Sequence, residues 1–160
     1  MQNTFSHKNM MGIIIDEIKS ATGLDCVEQS TVKQLDYPFY TFRNVISHTS
    51  IGFTDNVDSE EFEMTLHFDA HSLSMYEATD YAEKLHKLFQ TQEFDLLSAQ
   101  NNFYIIDCDD IENTDNPISI QVERQAGFNM SIRVVDNFKD DKATIDNIEI
   151  NGGQITNKEG

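Results

Sequence analysis

The fold is decided by the stretch Glu-Arg-Gln-Ala-Gly-Phe-Asn-Met-Ser-Ile-Arg-Val-Val-Asp at residues 123–136. Between Phe128 and Val134 apolar side chains alternate with polar ones, and only a β-strand puts alternate residues on one face. Gly127 stands at the start of this alternation, where a missing Cβ allows a bulge or a tight turn. The stretch therefore predicts a central strand with one buried face. Its buried positions are Phe128, Met130, Ile132 and Val134.

A second alternating run begins at Glu61 and is the cleanest in the chain. It predicts another strand with one face in the core and the other in water, as in antiparallel sheets. The predicted core face consists of Phe62, Met64, Leu66, Phe68 and Ala70. The predicted water face consists of Glu61, Glu63, Thr65, His67, Asp69 and His71.

Two segments have the apolar spacing of amphipathic helices. The first runs from about Ser6 to Thr22, and Gly23 follows it as a residue that favours the left-handed conformation at helix ends. The second begins with Ser74-Met75-Tyr76-Glu77, which fits a capping box. We expect this helix to run to about Thr91, with a further helical turn from Phe94 to Ala99. Its apolar stripe consists of Ala78, Tyr81, Ala82, Leu85, Leu88 and Phe89.

Shorter runs predict the remaining strands, because they are rich in aromatic and β-branched residues or alternate in polarity. The polar loop from Thr49 to Glu60 is longer than a tight hairpin requires, which is typical of a mobile tip. Extended structure is expected at residues 24–28, 39–47 and 103–108. Further alternating positions are Ile118, Ile120 and Val122, followed by Ile145, Ile148 and Ile150.

This order of elements predicts an α+β fold, a mostly antiparallel sheet with two main helices packed on one face. At 160 residues, the chain can bury about two-thirds of its unfolded surface in one domain. We expect that domain to span residues 1–150, and residues 151–160 to form a flexible tail. The other face of the sheet is left available.

The charge and the apolar runs exclude two classes of binding. The chain has 11 Lys and Arg against 28 Asp and Glu, a formal net charge of −17. Affinity obtained by neutralising phosphates, in nucleic acid or on an anionic membrane, is therefore not expected. The longest early apolar run, Met10 to Ile15, is interrupted by Gly12 and is too short for a membrane span.

His67, Asp69 and His71 share one face of a predicted strand at steps of about 6.6 to 7 Å. Imidazole and carboxylate groups are ligands for zinc or a non-haem metal. A flat strand places the outer pair too far apart to share one ion, so the solvent-facing side of an amphipathic strand explains them better. Stoichiometric zinc binding that is lost on His67→Ala would decide for a metal.

Other candidate sites are weaker. The acidic runs Asp107-Cys108-Asp109-Asp110 and Asp55 to Glu61 lack the spaced ligands and turn glycine of a calcium loop, and solvated turns explain them. Cys26 and Cys108 are expected to be reduced thiols, because no secretory segment is found. The chain has no Gly-x-Ser-x-Gly elbow, nucleotide-binding glycine loop or His-Glu-x-x-His motif. We therefore expect neither catalysis nor a cofactor.

Arginine is scarce; Arg124 precedes the predicted central strand, and Arg133 lies on the face of that strand that points away from the core. A planar guanidinium suits a bidentate contact with a carboxylate across a subunit boundary, which makes both residues interface candidates. An intrachain surface pair worth less than about 1 kcal/mol explains them equally well. The acidic loop adds Asp55 and Asp58 as further interface candidates.

Three stretches resemble one protein family. Arg124, followed by an aromatic-led alternating strand that ends near Asp136, resembles the closing strand of the neck or tail terminator proteins of long-tailed bacteriophages. Tyr37-Pro38-Phe39-Tyr40-Thr41-Phe42 is similar to an early segment of that family. Ala78, Ala82 and Leu85 to Phe89 are similar to its middle helix. The resemblance covers roughly residues 8 to 136 in element order.

The resemblance implies a structural virion protein, assembled in the host cytoplasm, that joins the head connector to the tail tube. Its partners would be copies of itself in a ring, commonly of six, and the connector and tube proteins, without specific nucleic-acid or membrane binding. A ring that passes DNA benefits from a lumen that repels phosphate, and the charge of −17 fits this. Deletion of Thr54 to Ser59 is expected to leave the monomer folded but to impair joining.

Two other classes remain open from the sequence. An acidic inhibitor or nucleic-acid mimic would bind a basic protein, but it needs a regular array of carboxylates, whereas here they concentrate in loops and near the end. A small enzyme or ligand-binding domain would need a deep pocket. Rings, a monomer that binds a basic enzyme, or a monomer with an occupied pocket would distinguish the three classes.

Overall fold

The computed structural model describes residues 5–31, 33, 35–52, 57–140, 147–150 and 153–156. Within these residues the fold is α+β, as predicted, with three helices, a six-stranded sheet and a separate hairpin. The helices are α1 (His7–Thr22), α2 (Met75–Leu88) and α3 (Gln92–Gln100). The main sheet consists of β1 (Cys26–Glu28), β2 (Phe39–Ser50), β3 (Glu61–Ser72), β4 (Phe103–Cys108), β5 (Glu112–Asn113) and β6 (Arg124–Val135). The hairpin consists of β7 (Asn147–Ile150) and β8 (Gly153–Thr156).

The main sheet has the order β1-β2-β3-β6-β4, and β5 pairs with β6 beyond the end of β4. β1 runs parallel to β2, and the other pairs are antiparallel. β3 and β6 pair without interruption from Glu61 opposite Val135 to Ser72 opposite Arg124. The prediction that residues 123–136 form a central strand is therefore confirmed.

The core lies between the helices and one face of the sheet. Every apolar position predicted for the core faces of β3 and β6 is buried. The ring of Phe89, which follows α2, lies 5.1 Å from that of Phe68 on β3 and 5.1 Å from that of Phe94 on α3. Each such side chain stabilises the fold by about 1.5–3 kcal/mol relative to leaving it exposed. These contacts fix α2 and α3 against the middle of the sheet.

The helix ends follow the predictions with two corrections. Gly23 ends α1 with φ of 77°, the left-handed conformation expected there. Ser74 precedes α2, but its side chain makes no capping hydrogen bond, so the capping box was wrong. The Glu77 carboxylate instead accepts a hydrogen bond from Ser72 Oγ at 2.8 Å, although the residue itself lies in the first turn of α2. α2 ends at Leu88 because Thr91 already caps α3 by accepting from the Phe94 amide.

Gly127 makes neither the bulge nor the tight turn that its position predicted. Its pairing with Asp69 belongs to the uninterrupted register between β3 and β6. The physical reason for the glycine is space, because a Cβ at this position would overlap Asp69 Oδ1 and the Phe68 carbonyl oxygen. Gly127 therefore allows a close approach of the two central strands.

The alternating residues Ile118, Ile120 and Val122 do not form extended structure. They lie in a turn at residues 117–122, where their side chains are 94%, 43% and 66% exposed. The turn is closed locally, because the amides of Val122 and Glu123 donate to the Ser119 carbonyl. Alternation alone was misleading here, since no described strand lies beside this stretch to pair with it.

The predicted short strand near the end of the chain is present as β7, which includes Ile148 and Ile150. Ile145 lies outside the described residues. β8 falls within the stretch expected to be a flexible tail, and it pairs antiparallel with β7. Residues 153–156 are therefore a strand, whereas the division into a domain of 1–150 and a tail of 151–160 stays a prediction.

Candidate functional site

The polar face of β3 is not uniformly wet, which corrects the sequence prediction. His67, Asp69 and His71 are only 8%, 5% and 6% exposed. They are covered by residues 109–123, here named the cover segment, which returns along β6 after β4. Thr114 of this segment donates from Oγ1 to Asp69 Oδ1. The sequence pattern of β3 could not show that a later part of the chain closes this half of the face.

His67 and Asp69 form a buried ion pair. His67 Nε2 lies 2.9 Å from Asp69 Oδ1, and its Nδ1 lies 2.8 Å from Asn129 Oδ1. The hydrogen bond to Asp69 raises the pKa of His67, against the effect of burial. Burial alone would raise the pKa of Asp69, but the hydrogen bonds from His67 and Thr114 lower it overall. Both groups therefore favour their charged forms, as paired buried charges do.

His71 connects β2, β3 and the cover segment. Its ring stacks on Phe39 at 4.7 Å, and its Nε2 lies 2.8 Å from Thr41 Oγ1. Its Nδ1 lies 3.4 Å from Glu123 Oε1, within ion-pair range, but it makes no hydrogen bond. Burial raises the pKa of Glu123, but hydrogen bonds from Tyr37 and then Gln125 lower it overall. This end of the face is held by a polar network.

The network differs from a metal centre. His67 and His71 each point at separate oxygen partners, and Asp69 is engaged by His67 and Thr114. Across the residues that the structure describes, no group of three or more His, Cys, Asp or Glu side chains is placed to hold a metal ion. What the arrangement does is bind the cover segment to the sheet.

Arg124 also serves the cover segment. Its Nε and Nη2 lie 2.8 and 2.7 Å from Asp115 Oδ2, and Asp115 Oδ1 accepts from the Gln125 amide at 2.8 Å. The Arg124 hydrogen bond lowers the pKa of Asp115 to about 2. The structure thus places Arg124 in an intrachain pair, and its predicted role at a subunit boundary stays a prediction.

The other interface candidates lie at the opposite end of the sheet. Arg133 Nη2 lies 2.7 Å from Glu63 Oε1 across the β3–β6 pair, and both side chains are partly exposed. Asp58 Oδ1 accepts from the Asp140 amide, which ties the base of the β2–β3 loop to the chain after β6. Asp55 lies outside the described residues. The structure does not bring Arg124 and Arg133 together, and the interface role of all four residues stays a prediction.

Both edges of the sheet are open at the end that carries Arg133. β1 pairs with β2 only as far as Phe42, so Arg43–Ser50 has no strand on its outer side within the described residues. β4 likewise pairs only with β6 there. The two edges expose apolar side chains to water. These are Val45 (45%) and Ile46 (48%) on β2, and Tyr104 (48%) and Ile106 (47%) on β4.

A groove lies beside the β2 edge, between that strand and α1. Its volume is about 680 Å³, and its apolar wall includes Met11, Ile15 and Phe42. Arg43 and Lys8 also line it. The groove thus adds positive charge and apolar surface to one edge of an acidic protein.

The sequence pattern gave no direct indication of these edges. Val45, Ile46, Tyr104 and Ile106 read as ordinary strand residues, because burial in a sheet depends on which strands become neighbours. The exposed turn at 117–122 was missed for a similar reason. A usable signal was the departure from strict alternation in Val45-Ile46 and Ile105-Ile106, which coincides with the register shifts in β2 and β4.

The two cysteines are free thiols, as predicted. Burial raises the pKa of Cys26 to about 12. Burial, with Asp107 and Asp109 adding to it, raises the pKa of Cys108 to about 12. Neither thiol is activated at neutral pH.

Comparison with known proteins adds the family. None of the helices in the described part of the chain is long and apolar enough to cross a bilayer. No curated protein matches the chain. A family model described as phage neck terminator protein matches residues 12–159, almost the whole chain. The chain therefore belongs to the phage neck terminator protein family, and it has a structural role in the phage neck or tail.

Proposed function

We propose that this protein ends the tail tube and joins it to the head connector as a closed ring of copies, six in the assembled particle. The observation that carries the proposal is the match to the neck terminator family over residues 12–159. The geometry of the sheet supports it. An interface that uses two different surfaces of each copy generates a ring when the rotation closes, and each copy offers two different open edges.

The ends of the central strands supply two further surfaces. The turn at 117–122 lies one residue before Arg124, where β6 begins, and it exposes Ile118 almost completely. Ser50 and Glu61, the residues at which β2 ends and β3 begins, lie at the opposite end, where Glu61 pairs with Val135. In a ring whose axis follows the strands, these surfaces lie on opposite rims. One rim would meet the connector and the other the tube.

The charge also supports a ring around DNA. The chain has a net charge of −17, and the polar face of the sheet carries Glu61 and Glu63. A lumen with this sign of charge does not bind phosphate, so DNA can pass without being held.

The test is assembly without this protein. Phage or prophage particles produced with the gene deleted are examined by electron microscopy and compared with particles complemented by the full chain. We expect separate heads and tails, with tube length no longer limited, and complete particles after complementation. The purified full chain, free or added to purified tails, is expected to form rings visible in negative stain. Complete virions formed without the protein would overturn the proposal.

Variants at the two rims sharpen this test. Deleting Thr54 to Ser59 also removes Asp58 and Ser59, which hold the chain at Asp140 and Phe138. A shorter deletion of residues 53–56 keeps those contacts. We expect it to stop joining at one rim only, and Ile118→Ser to stop joining at the other. Lys84→Ser on α2 is the matched surface control and is expected to assemble normally.

A further inference from the structure

The two open edges of the main sheet lie at the same level along the strand direction. Arg43 on β2 pairs with His67, His67 pairs with Asn129, and the Asp109 amide donates to the Asn129 carbonyl. These residues form one row across the sheet, with Arg43 at one edge and Asp109 at the other. A second row lies nearer the end of the sheet where β2 connects to β3. It runs from Thr49 through Glu63 and Arg133 to Tyr104.

The strand directions suit a continuous sheet. β2 is antiparallel to β3, and β3 is antiparallel to β6, so β2 and β6 run the same way. β4 is antiparallel to β6 and hence to β2. A second copy moved sideways without being inverted therefore brings its β4 alongside β2 of the first copy in antiparallel orientation. Such a ladder satisfies the amide and carbonyl groups that an open edge leaves unpaired.

The chemistry of the two edges is complementary. The β2 edge carries Arg43, which makes no ion pair to any described residue, and Lys8 lies across the neighbouring groove. Glu28 also lines that groove. The β4 edge carries Asp107 and then Asp109, both exposed, and Asp110 follows them. In a chain with only 11 cationic residues against 28 acidic ones, a cation at one edge opposite acids at the other favours pairing of unlike edges over pairing of like edges.

We propose that Arg43–Ser50 of one copy pairs with β4 of the next copy, with Arg43 facing Asp109. This deepens the proposed function and rests on it, because it names the contact that closes the ring. With no offset between copies, Thr49 lies opposite Tyr104 of the neighbour. The exposed apolar residues Val45, Ile46 and Ile106 then become covered. Each copy uses both edges once, so the interface is heterologous and compatible with closure.

Charge reversal tests the pairing. Arg43→Glu and Asp109→Arg are each prepared in the full chain, and Lys84→Glu on α2 is the matched control. Ring content is measured by light scattering and negative stain, on the free chain or on purified tails. We expect each reversal alone to lower ring content roughly tenfold or more, because like charges then face each other. Lys84→Glu is expected to change it little.

Mixing the two reversed chains gives the decisive result. In a ring that alternates them, the glutamate introduced by Arg43→Glu in one chain faces the arginine introduced by Asp109→Arg in the other, and the remaining contacts keep the original pair. Rings of even number are therefore expected to return on mixing. Rings that persist in either single variant, or that fail to return on mixing, overturn the edge pairing and leave the ring itself standing. Wild-type protein that forms no rings even on tails overturns both.

A disulfide measures the register. A chain carrying Thr49→Cys and Tyr104→Cys is oxidised and run on a non-reducing gel, with each single variant as control. We expect a ladder of intermolecular products ending at the ring number. The native thiols contribute little background because Cys26 is buried and Cys108 is half-buried. Monomer alone on the gel, from a sample that shows rings, contradicts the register.

Discussion

The two central strands run through two different environments. In the covered half, His67–Ser72 of β3 and Arg124–Asn129 of β6, the cover segment seals the polar face. In the open half, Glu61–Leu66 of β3 and Met130–Val135 of β6, the polar face stays partly exposed, and the neighbouring β2 and β4 have no outer partners within the described residues. Along β3 the alternation of apolar and polar residues is the same in both halves.

The difference between the two halves shows which polar groups and strand edges one chain pairs by itself. The covered half pairs most of its polar groups internally, through contacts such as the His67–Asp69 pair and the Arg124–Asp115 pair, although His71 Nδ1 makes no hydrogen bond. The open half leaves strand edges unpaired and apolar side chains exposed. Such a surface favours aggregation of an isolated monomer, but it provides contacts in an assembly. We therefore expect substitutions in the covered half to affect folding, and substitutions in the open half to affect association.

The largest effect on stability is expected from Gly127→Ala in the covered half. The new Cβ would overlap the Phe68 carbonyl oxygen, which belongs to the backbone and cannot move aside without breaking the β3–β6 ladder. Overpacking of this kind costs about 3 kcal/mol. The free energy of unfolding is measured by urea titration with circular dichroism.

Gly12→Ala is the matched control. No atom lies within 4 Å of a Cβ at Gly12, and alanine is better than glycine inside a helix by roughly 0.5–1 kcal/mol. The control is expected to be as stable as the wild type or slightly more so. If Gly127→Ala lost less than about 1 kcal/mol, the central strands would not be as closely held as the structure indicates.

A smaller, pH-dependent effect is expected from Asp69→Asn. The lowered pKa of Asp69 gives a contribution that is present above its ordinary value of 3.8 and is lost as the pH falls through the lowered pKa. The raised pKa of His67 gives a contribution that is complete below 6.5 and is lost as the pH rises through the raised pKa. The pair therefore stabilises most between those two ordinary values.

Within that window Asp69→Asn should lower the free energy of unfolding by about 1–3 kcal/mol, because hydrogen bonds to buried charged groups are lost. The difference from wild type should shrink toward either side of the window. Urea midpoints measured from pH 3 to 9 give both curves. Glu63→Gln in the open half is the control and should run nearly parallel to wild type. A constant difference at all pH values would show that charge plays no part in holding the cover segment.

The sequence predicted what depends on neighbours along the chain. Helical spacing located α1 and α2, and alternation located β3 and β6 with the correct core faces. These patterns report which side of an element is apolar, and the apolar side becomes the core. Ser74 and Glu77 have the spacing of a capping box. Glu77 nevertheless accepts a hydrogen bond from Ser72, because the chain before the helix bends and brings Ser72 close.

What depends on distant parts of the chain was not predictable. The burial of His67 and His71 requires residues 109–123 to fold over them, which no local pattern encodes. The open edges of β2 and β4 follow from the strand order, which alternation does not fix. The interface candidates Arg124 and Arg133 were chosen by residue type, and the structure places one in the covered half and the other in the open half.

The smallest effect on stability is expected from Arg133→Ala in the open half. Its pair with Glu63 is partly exposed, with side chains 44% and 34% accessible, and such pairs contribute less than about 1 kcal/mol. A double-mutant cycle with Glu63→Ala, followed by urea unfolding, should give a coupling energy of that size. The same variant in the ring assay tests the predicted interface role, since reduced ring content at unchanged stability would support it. A coupling energy above about 2 kcal/mol would contradict the distinction between the two halves, because the open half would then be stabilised by its own contacts as strongly as the covered half.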